Sequence, residues 1–357
     1  MKQFKTFKPV HQVIFSSGAL AGLGDILEER RSNNKYVVFV IDHFFKESAL
    51  LEKIPITSSD ICFFADTTNE PKTETIDIHV EAVLQQKNTL PSVVIGIGGG
   101  ATLDIAKALS IMLVNPGKTH MYQGWDLVKN PAVYKIGIPT ISGTGSEVSR
   151  TTVLTGPIKK QGINSDWSLF DFAILDPNLL ATVPKEQRFY TGMDCYIHCV
   201  ESLCGTFINE FSRAFASKAL ELCNTVFLSD GTDADLMVAS YMGGSAIVYS
   251  EVGICHALSY GLSYAFGIHH GMANCIVFNH LDEYYPDHMA DYREMLLRNQ
   301  VELPRKPGGN VDKKTLEKMT DITLLMEKPL YNACGQNWQS IVTKEKIKEL
   351  YSKILEI

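Results

Sequence analysis

Two stretches restrict what this chain can fold into more than any others, "YVVFVI" at 36–41 and "SVVIGIG" at 92–98. Both are unbroken apolar runs rich in β-branched residues, with no polar face. A strand with one side in water alternates polar and apolar residues, so these read as strands covered on both faces. "KIGIPT" (135–140) and "FAIL" (172–175) are weaker members of the same set, and residues 72–88 and 102–114 between them carry helical periodicity. Strand–helix alternation predicts a parallel sheet with helices on both faces. After "DPNLLATVP" (176–184) the strand pattern stops, and Ala, Leu, Met and Cys mix with small residues at helical spacing. The 357 residues exceed an ordinary single core. The expected architecture is an α/β domain over 1–178 and an all-helical domain over 179–357, with "PRKPGGN" (304–310) as an exposed connection.

Charge narrows the partners. The net charge is −7 with no Lys/Arg block, which argues against nucleic acid. The start "MKQFKTFKPVHQVIFSSGAL" lacks the apolar core of a signal peptide and no run approaches a membrane span, so no membrane partner and a cytoplasmic location are expected. None of the eight cysteines forms a C-x-x-C pair, and their apolar neighbourhoods suit reduced, buried thiols.

"GIGGGATLDIAKALS" runs from the end of a buried strand into a helix. Gly96, Gly98 and Ala101 satisfy G-x-G-x-x-[GA], but not at the first strand and without the acidic residue that a Rossmann fingerprint places beyond it. The physics does not need the fingerprint. Glycines at a strand end let backbone N–H groups approach a phosphate, and a helix N-terminus favours negative charge. A tight turn without a ligand is the plainer alternative, but three glycines in a row exceed what a turn requires. "IPTISGTGSEVSRTTVLT" (138–155) reads as a second, hydroxyl-rich loop after another strand. Two such loops at strand ends of one parallel sheet predict a dinucleotide site. Asp42, closing the first buried strand, is placed to accept ribose hydroxyls, which favours NAD over its 2′-phosphorylated form.

"MDCYIHCVE" (193–201) sets Asp194 and His198 one helical turn apart, on one face. That spacing suits a core hydrogen bond, an acid/base pair or half of a metal site. Cys195 and Cys199 lie about 100° further round the helix and face elsewhere. "GICHALSYGLSYAFGIHHG" (253–271) adds His256, His269 and His270. A lone histidine in an apolar helix is usually a satisfied core residue. Asp194, His198, His256 and one of the paired histidines together make one carboxylate and three imidazoles, a set suited to Fe(II) or Zn(II).

These motifs resemble the iron-containing alcohol dehydrogenase family. "GGGATLDIAK", "PTISGTGSEVS", "ILDPNLLATVP", "GMDCYIHCVE" and "GICHALSYGLSYAFGIHHG" occur in family order across residues 96–271. The resemblance implies a dinucleotide-binding α/β domain with a parallel sheet followed by a helical metal-binding, catalytic domain. It implies metal ligands Asp194, His198, His256 and His270, and cofactor contacts Asp42, Gly98, Gly99, Asp104, Thr140, Ser142, Thr144, Asn69 and Lys160. The implied cofactors are Fe(II), with Zn(II) as a substitute, and NAD, and the implied assembly is a homodimer. The chain departs from the family in being short after residue 290 and in carrying Tyr260 where many members have a proton-relaying histidine. Tyr260 and His269 are then the candidates for moving the proton. Within the family, the short length and the start "KPVHQVIFSSGAL" are most similar to the 3-deoxy-manno-octulosonate 8-oxidases, which oxidise the terminal alcohol of that sugar acid for lipopolysaccharide.

The expected reaction moves a hydride between a primary alcohol and NAD, with the alcohol oxygen on the metal. If the alcohol is a sugar acid, Arg150 is the candidate cation for its carboxylate, the alternative being that it bonds loop carbonyls. A dehydroquinate-synthase-like lyase shares the architecture but wants Lys and Arg around the metal, in which the helical motifs are poor. A non-catalytic NAD- or metal-binding protein is the remaining alternative.

Overall fold

The computed structural model describes residues 8–31, 35–158 and 160–356. They divide into two compact units. A sheet unit runs to Ile141 and resumes from Ser146 to Thr182, and a helical unit starts at Val183 and includes Ser142–Gly145. The change of pattern in the sequence lies at 178/179; the contacts change over four residues later.

In the sheet unit, β1 (Gln12–Phe15), β2 (Val37–Asp42), β3 (Ile61–Ala65), β4 (Val93–Gly98), β6 (Lys135–Pro139) and β9 (Phe172–Leu175) form one sheet, in the order β1-β9-β6-β4-β2-β3. All its pairings are parallel. Every residue of β4 and of β6 is buried. Alternate side chains explain why. Val38, Val40 and Val94 join one apolar cluster, with Ile76 and Val83 of α2 (Thr73–Gln86) and Ile105 and Leu109 of α3 (Gly100–Met112). Val37, Phe39, Ile41, Ile95 and Ile97 join another, with Leu23 and Leu27 of α1 (Leu23–Arg30). Two covered faces leave little room for polar residues; Lys135, at the start of β6, is the buried exception.

Sequence periodicity misses three features. The edge strands β1 and β3 are short, and 151–155, read from the sequence as loop, is a strand. That strand, β7 (Thr151–Thr155), pairs antiparallel with β8 (Lys160–Asn164), and the two-residue β5 (Gly124–Trp125) joins them in a second sheet. Hydroxyl and amide side chains dominate β7 and β8, so no hydrophobic run announces them. Helix α3 also begins two residues before the periodic stretch, at Gly100, with Gly99 as its N-cap.

The helical unit holds α4 (Lys185–Cys204), α5 (Glu210–Leu228), α6 (Asp233–Tyr249), α7 (Ile254–Phe266), α8 (His270–Phe278), α9 (Met289–Arg298), α10 (Lys313–Leu324), α11 (Glu327–Cys334), α12 (Trp338–Ile341) and α13 (Lys344–Leu355). No strand occurs among its described residues. Helices α4, α5 and α6 pack on one another, and α7 and α8 pack on α4. No described helix is long and apolar enough to cross a membrane.

Candidate metal centre

In the sheet unit the strand order changes direction beside β2. The chain goes from β2 outward to β3, then crosses back to β4 on β2's other side. Ligands of open parallel sheets bind beyond the strand ends at such a switch. Asp42 and Gly98 end these two adjacent strands, next to the paired Ile41 and Ile97. A Cβ on Gly98 would lie 2.6 Å from Thr102, and one on Gly99 would lie 2.8 Å from Ile141. Glycine is therefore needed for the close approach of helix to strand, whatever else it does. Asp42 caps the turn after β2 through Phe44 N (3.0 Å), and its other oxygen accepts from Thr67 and Thr102 hydroxyls at 3.2 Å.

The other expected cofactor residues fall on several elements of the two units. Thr140 is buried and donates its N–H to Gly98 O at 3.0 Å. Asp104 has both oxygens engaged, by Ser146 Oγ (2.6 Å) and Val153 N (2.8 Å), with Lys107 Nζ at 3.2 Å. It ties α3 to β7. Lys160 is paired with Glu70 at 3.0 Å, beside the exposed Asn69, whose amide donates to Thr68 Oγ1. Ser142 and Thr144 belong to the helical unit. Ser142 Oγ there is buried with no hydrogen-bond partner, and Thr144 is half-buried. Arg150 is engaged by carboxylates, and among the described residues its side chain bonds no loop carbonyl. Its guanidinium is held by Asp126 and, at 3.0 Å, by Asp166.

Within the helical unit, one carboxylate oxygen gathers the site. Asp194 Oδ1 lies 3.3 Å from His256 Nε2, 3.5 Å from His198 Nε2 and 3.7 Å from His270 Nε2. The i,i+4 spacing on α4 brings Asp194 and His198 to one face, α7 brings His256 in its first turn, and His270 opens α8. Asp194, His256 and His270 offer ligand atoms all within 4.8 Å of one another. His198 stands outside that mutual set, stacked on His256 at 4.7 Å between ring centroids, with its buried Nδ1 unpartnered.

Asp194, His198 and His256 bring charge together in a buried setting. Burial alone would raise the Asp194 carboxyl, but the surrounding imidazoles, His198 first, hold it far below the usual carboxylate range. Burial pushes His198 down. Burial opposes the charge on His256 as well, yet Glu201 and Asp194 carry it up to about 9. One buried anion facing three ring nitrogens is the donor set a divalent transition metal takes. The residues fit such an ion.

The paired histidines separate cleanly. His269 is exposed and forms the N-cap of α8, while His270 turns to Asp194. Tyr260 is buried on α7, its ring 5.5 Å from that of His270. The buried sulfurs Cys195 and Cys223 are 3.6 Å apart, and Cys195 donates to Ala239 O, away from the site. Cys204 is exposed, contrary to the expectation that all the thiols are buried.

Two neighbours escaped the sequence reading. Asn274, one turn after His270, donates to Asp194 Oδ1 at 2.7 Å and lies 3.2 Å from both His256 Nε2 and His270 Nε2. Glu201 meets His256 Nδ1 at 2.6 Å. A signal existed for Glu201: it is a carboxylate in a helix otherwise set for burial, seven residues after Asp194, and such a group must find partners.

The two units and this donor set define a metal-dependent oxidoreductase of the nucleotide-domain-plus-helical-domain kind. Residues 10–177 match the iron-containing alcohol dehydrogenase family and residues 188–355 match that family's C-terminal domain, so the chain belongs to it. The family uses Fe(II) and NAD. Among its relatives is 1-propanol dehydrogenase PduQ of Citrobacter freundii, 32% identical over 273 residues, covering 73% of this chain and 70% of that protein. An iron-containing alcohol dehydrogenase of Thermotoga maritima has the same fold, with a TM-score of 0.81 at 25% identity over 99% of each chain. A sulfoacetaldehyde reductase from Bifidobacterium kashiwanohense, solved with NAD+, shares the fold at a TM-score of 0.81 and 20% identity over 99% of each chain.

Proposed function

We propose that this enzyme moves a hydride between a primary alcohol and NAD, with Asp194, His198, His256 and His270 holding Fe(II). The observation that carries the assignment is the convergence of three imidazoles on Asp194 Oδ1 within a buried helical core. When bound, the ion supplies a Lewis acid for the alcohol oxygen and NAD takes up the hydride. The chain's own part is to position. Asp194 contributes the negative charge, the rigid helices α4, α7 and α8 fix the nitrogens, and Tyr260 beside His270 is the nearer of the two candidates for handling the proton. His269 faces solvent. In the sheet unit, Asp42 and the Gly98–Gly99 turn receive the dinucleotide at the switch point. Thr140, Ser142, Thr144, Asp104, Asn69 and Lys160 belong to the same proposed contact set, with Asp104 and Lys160 acting from within their ion pairs.

The finer reading, oxidation of the C8 alcohol of 3-deoxy-manno-octulosonate for lipopolysaccharide sugar synthesis, rests on the short chain and its opening segment. Arg150, the candidate cation for the sugar's carboxylate, is held by Asp126 and Asp166 and would have to give up or share those ion pairs to meet it. A cytoplasmic homodimer completes the proposal; light scattering on the purified protein tests the dimer. The family match gives no support to the lyase or the non-catalytic alternative.

The deciding assay follows NADH formation by anaerobic, Fe(II)-reconstituted protein. The panel holds short and long primary alcohols, a propanediol and the sugar acid. Turnover of any alcohol supports the general assignment, and its absence across the panel overturns it. Equal turnover of simple alcohols and the sugar acid rejects the finer one. Asp42 repels a 2′-phosphate, so NAD is expected to bind at least about tenfold more tightly than NADP. Equal affinities by titration would remove Asp42 from the ribose site.

A further inference from the structure

Glu201 has no part in the ligand set, yet it is the most heavily bonded carboxylate near it. It is buried at 1% exposure near the C-terminal end of α4. Oε2 accepts Gly253 N at 2.7 Å and lies 2.6 Å from His256 Nδ1. Oε1 accepts Cys255 N at 2.7 Å and the Tyr285 hydroxyl at 3.1 Å. Four donors saturate the lone pairs of an ionised carboxylate. Such a group only accepts, so the short contact to His256 requires the proton to be on Nδ1. The opposite nitrogen, Nε2, is the one that faces Asp194.

We infer that Glu201 is the positioning residue of the metal centre: it keeps the Nδ1 proton on His256 and so reserves Nε2 for a divalent ion. This rests on the ligand assignment proposed above. The local design is specific. Helix α7 has Gly253 at its N-cap and no side-chain cap of its own, so its first N–H groups take their acceptor from α4 instead. A Cβ at Gly253 would come within 3.0 Å of Glu201 Oε1 and 2.8 Å of the Tyr285 hydroxyl, so glycine leaves the space for the carboxylate. Asn332 Nδ2, which donates to the Glu201 carbonyl, also bonds Glu251 O and Val252 O, joining the end of α4 to the start of α7. One side chain therefore caps α7, sets the tautomer of His256 and adds a second negative charge behind the His256 ring. A carboxylate behind a ligating imidazole fixes the ring and raises its basicity.

A helix cap alone would stabilise the fold and leave metal affinity untouched, so the test separates the two. Histidine nitrogen NMR on the Zn(II)-loaded wild-type protein should show His256 protonated at Nδ1 and metal-bound at Nε2; the reverse assignment overturns the inference. Zn(II) and Fe(II) titrated against a chromophoric chelator should bind Glu201→Gln about 10- to 100-fold more weakly than wild type. A folded Glu201→Gln with wild-type affinity overturns it too. If that variant does not fold, Glu201→Asp, which keeps the charge but draws it back from the ring, decides by the same criterion. Failure of the underlying ligand reading looks different: wild type would then bind neither ion, or Asp194→Ala would bind them as tightly as wild type.

Discussion

His269 and His270 are chemically identical neighbours, and only their backbone positions tell them apart. His270→Ala should lose the metal and nearly all turnover, because the remnant holds an ion poorly and misplaces the alcohol oxygen. His269→Ala should keep the metal, with at most about a 10²-fold loss of rate if it assists proton transfer. Elemental analysis of both purified variants checks this, and metal loss in His269→Ala alone would reverse the assignment. Lys135 presents a different single-residue problem. Its side chain is 3% exposed, 3.6 Å from Asp171, and burial pushes the ammonium down to about 8 despite that partner. Between about pH 8 and the ordinary lysine value the unfolded chain holds this proton and the folded one does not. Stability contributed by this site therefore rises with pH across that window, by up to about 3 kcal/mol. Lys135→Met should abolish that rise. Urea unfolding of both proteins across the window is the measurement, and parallel pH profiles would contradict it.

At the scale of elements, the Ser142–Gly145 segment shows how little room a loop can have. Gly143 has φ +141°, and a Cβ there would lie 1.7 Å from Thr191 O of α4. Gly145 has φ +61°, with Gly244 Cα of α6 at 2.4 Å. Neither contact can be relieved by turning a side chain, since backbone meets backbone. Gly143→Ala should cost about 3 kcal/mol or more and detach the loop from α4. Asn209→Ala is the useful contrast. Asn209 and Ser212 form a reciprocal capping box at the start of α5, and its removal should cost only about 1 kcal/mol. Chemical denaturation of the two variants ranks them, and a larger loss in Asn209→Ala would mean that the loop yields more easily than its geometry says.

For the whole molecule, the expected ligands all lie in the helical unit, on α4 and, some fifty residues further along the chain, on the consecutive helices α7 and α8. An ion that joins them stabilises that unit by mass action, about 2.7 kcal/mol at a hundredfold excess over the dissociation constant. Chelation should lower the melting temperature and speed hydrogen exchange in α4, α7 and α8. Amides of the buried strands β2 and β4 should change little. Exchange mass spectrometry with and without chelator tests this, and equal acceleration in both units would show that the ion's effect is not local.

The sequence by itself determined the parts of this protein that depend on short-range pattern. Unbroken apolar runs specified β2 and β4, because a strand with two covered faces has little room for polar residues. Helical spacing put Asp194 and His198 on one face. The edge strands and the β7–β8 pair left no such trace, since half-exposed or polar strands are stabilised by their ladder partners and not by their own periodicity. Only the tertiary structure decided which groups answer each other's charge. Arg150 turned to Asp126 and Asp166, Asp104 was spent on Ser146 and Val153, and Asn274 reached Asp194. Glu201 found His256 across 55 residues of chain. A buried charge must be matched wherever the fold places its partner, and that distance in space is not written in any local spacing of the sequence.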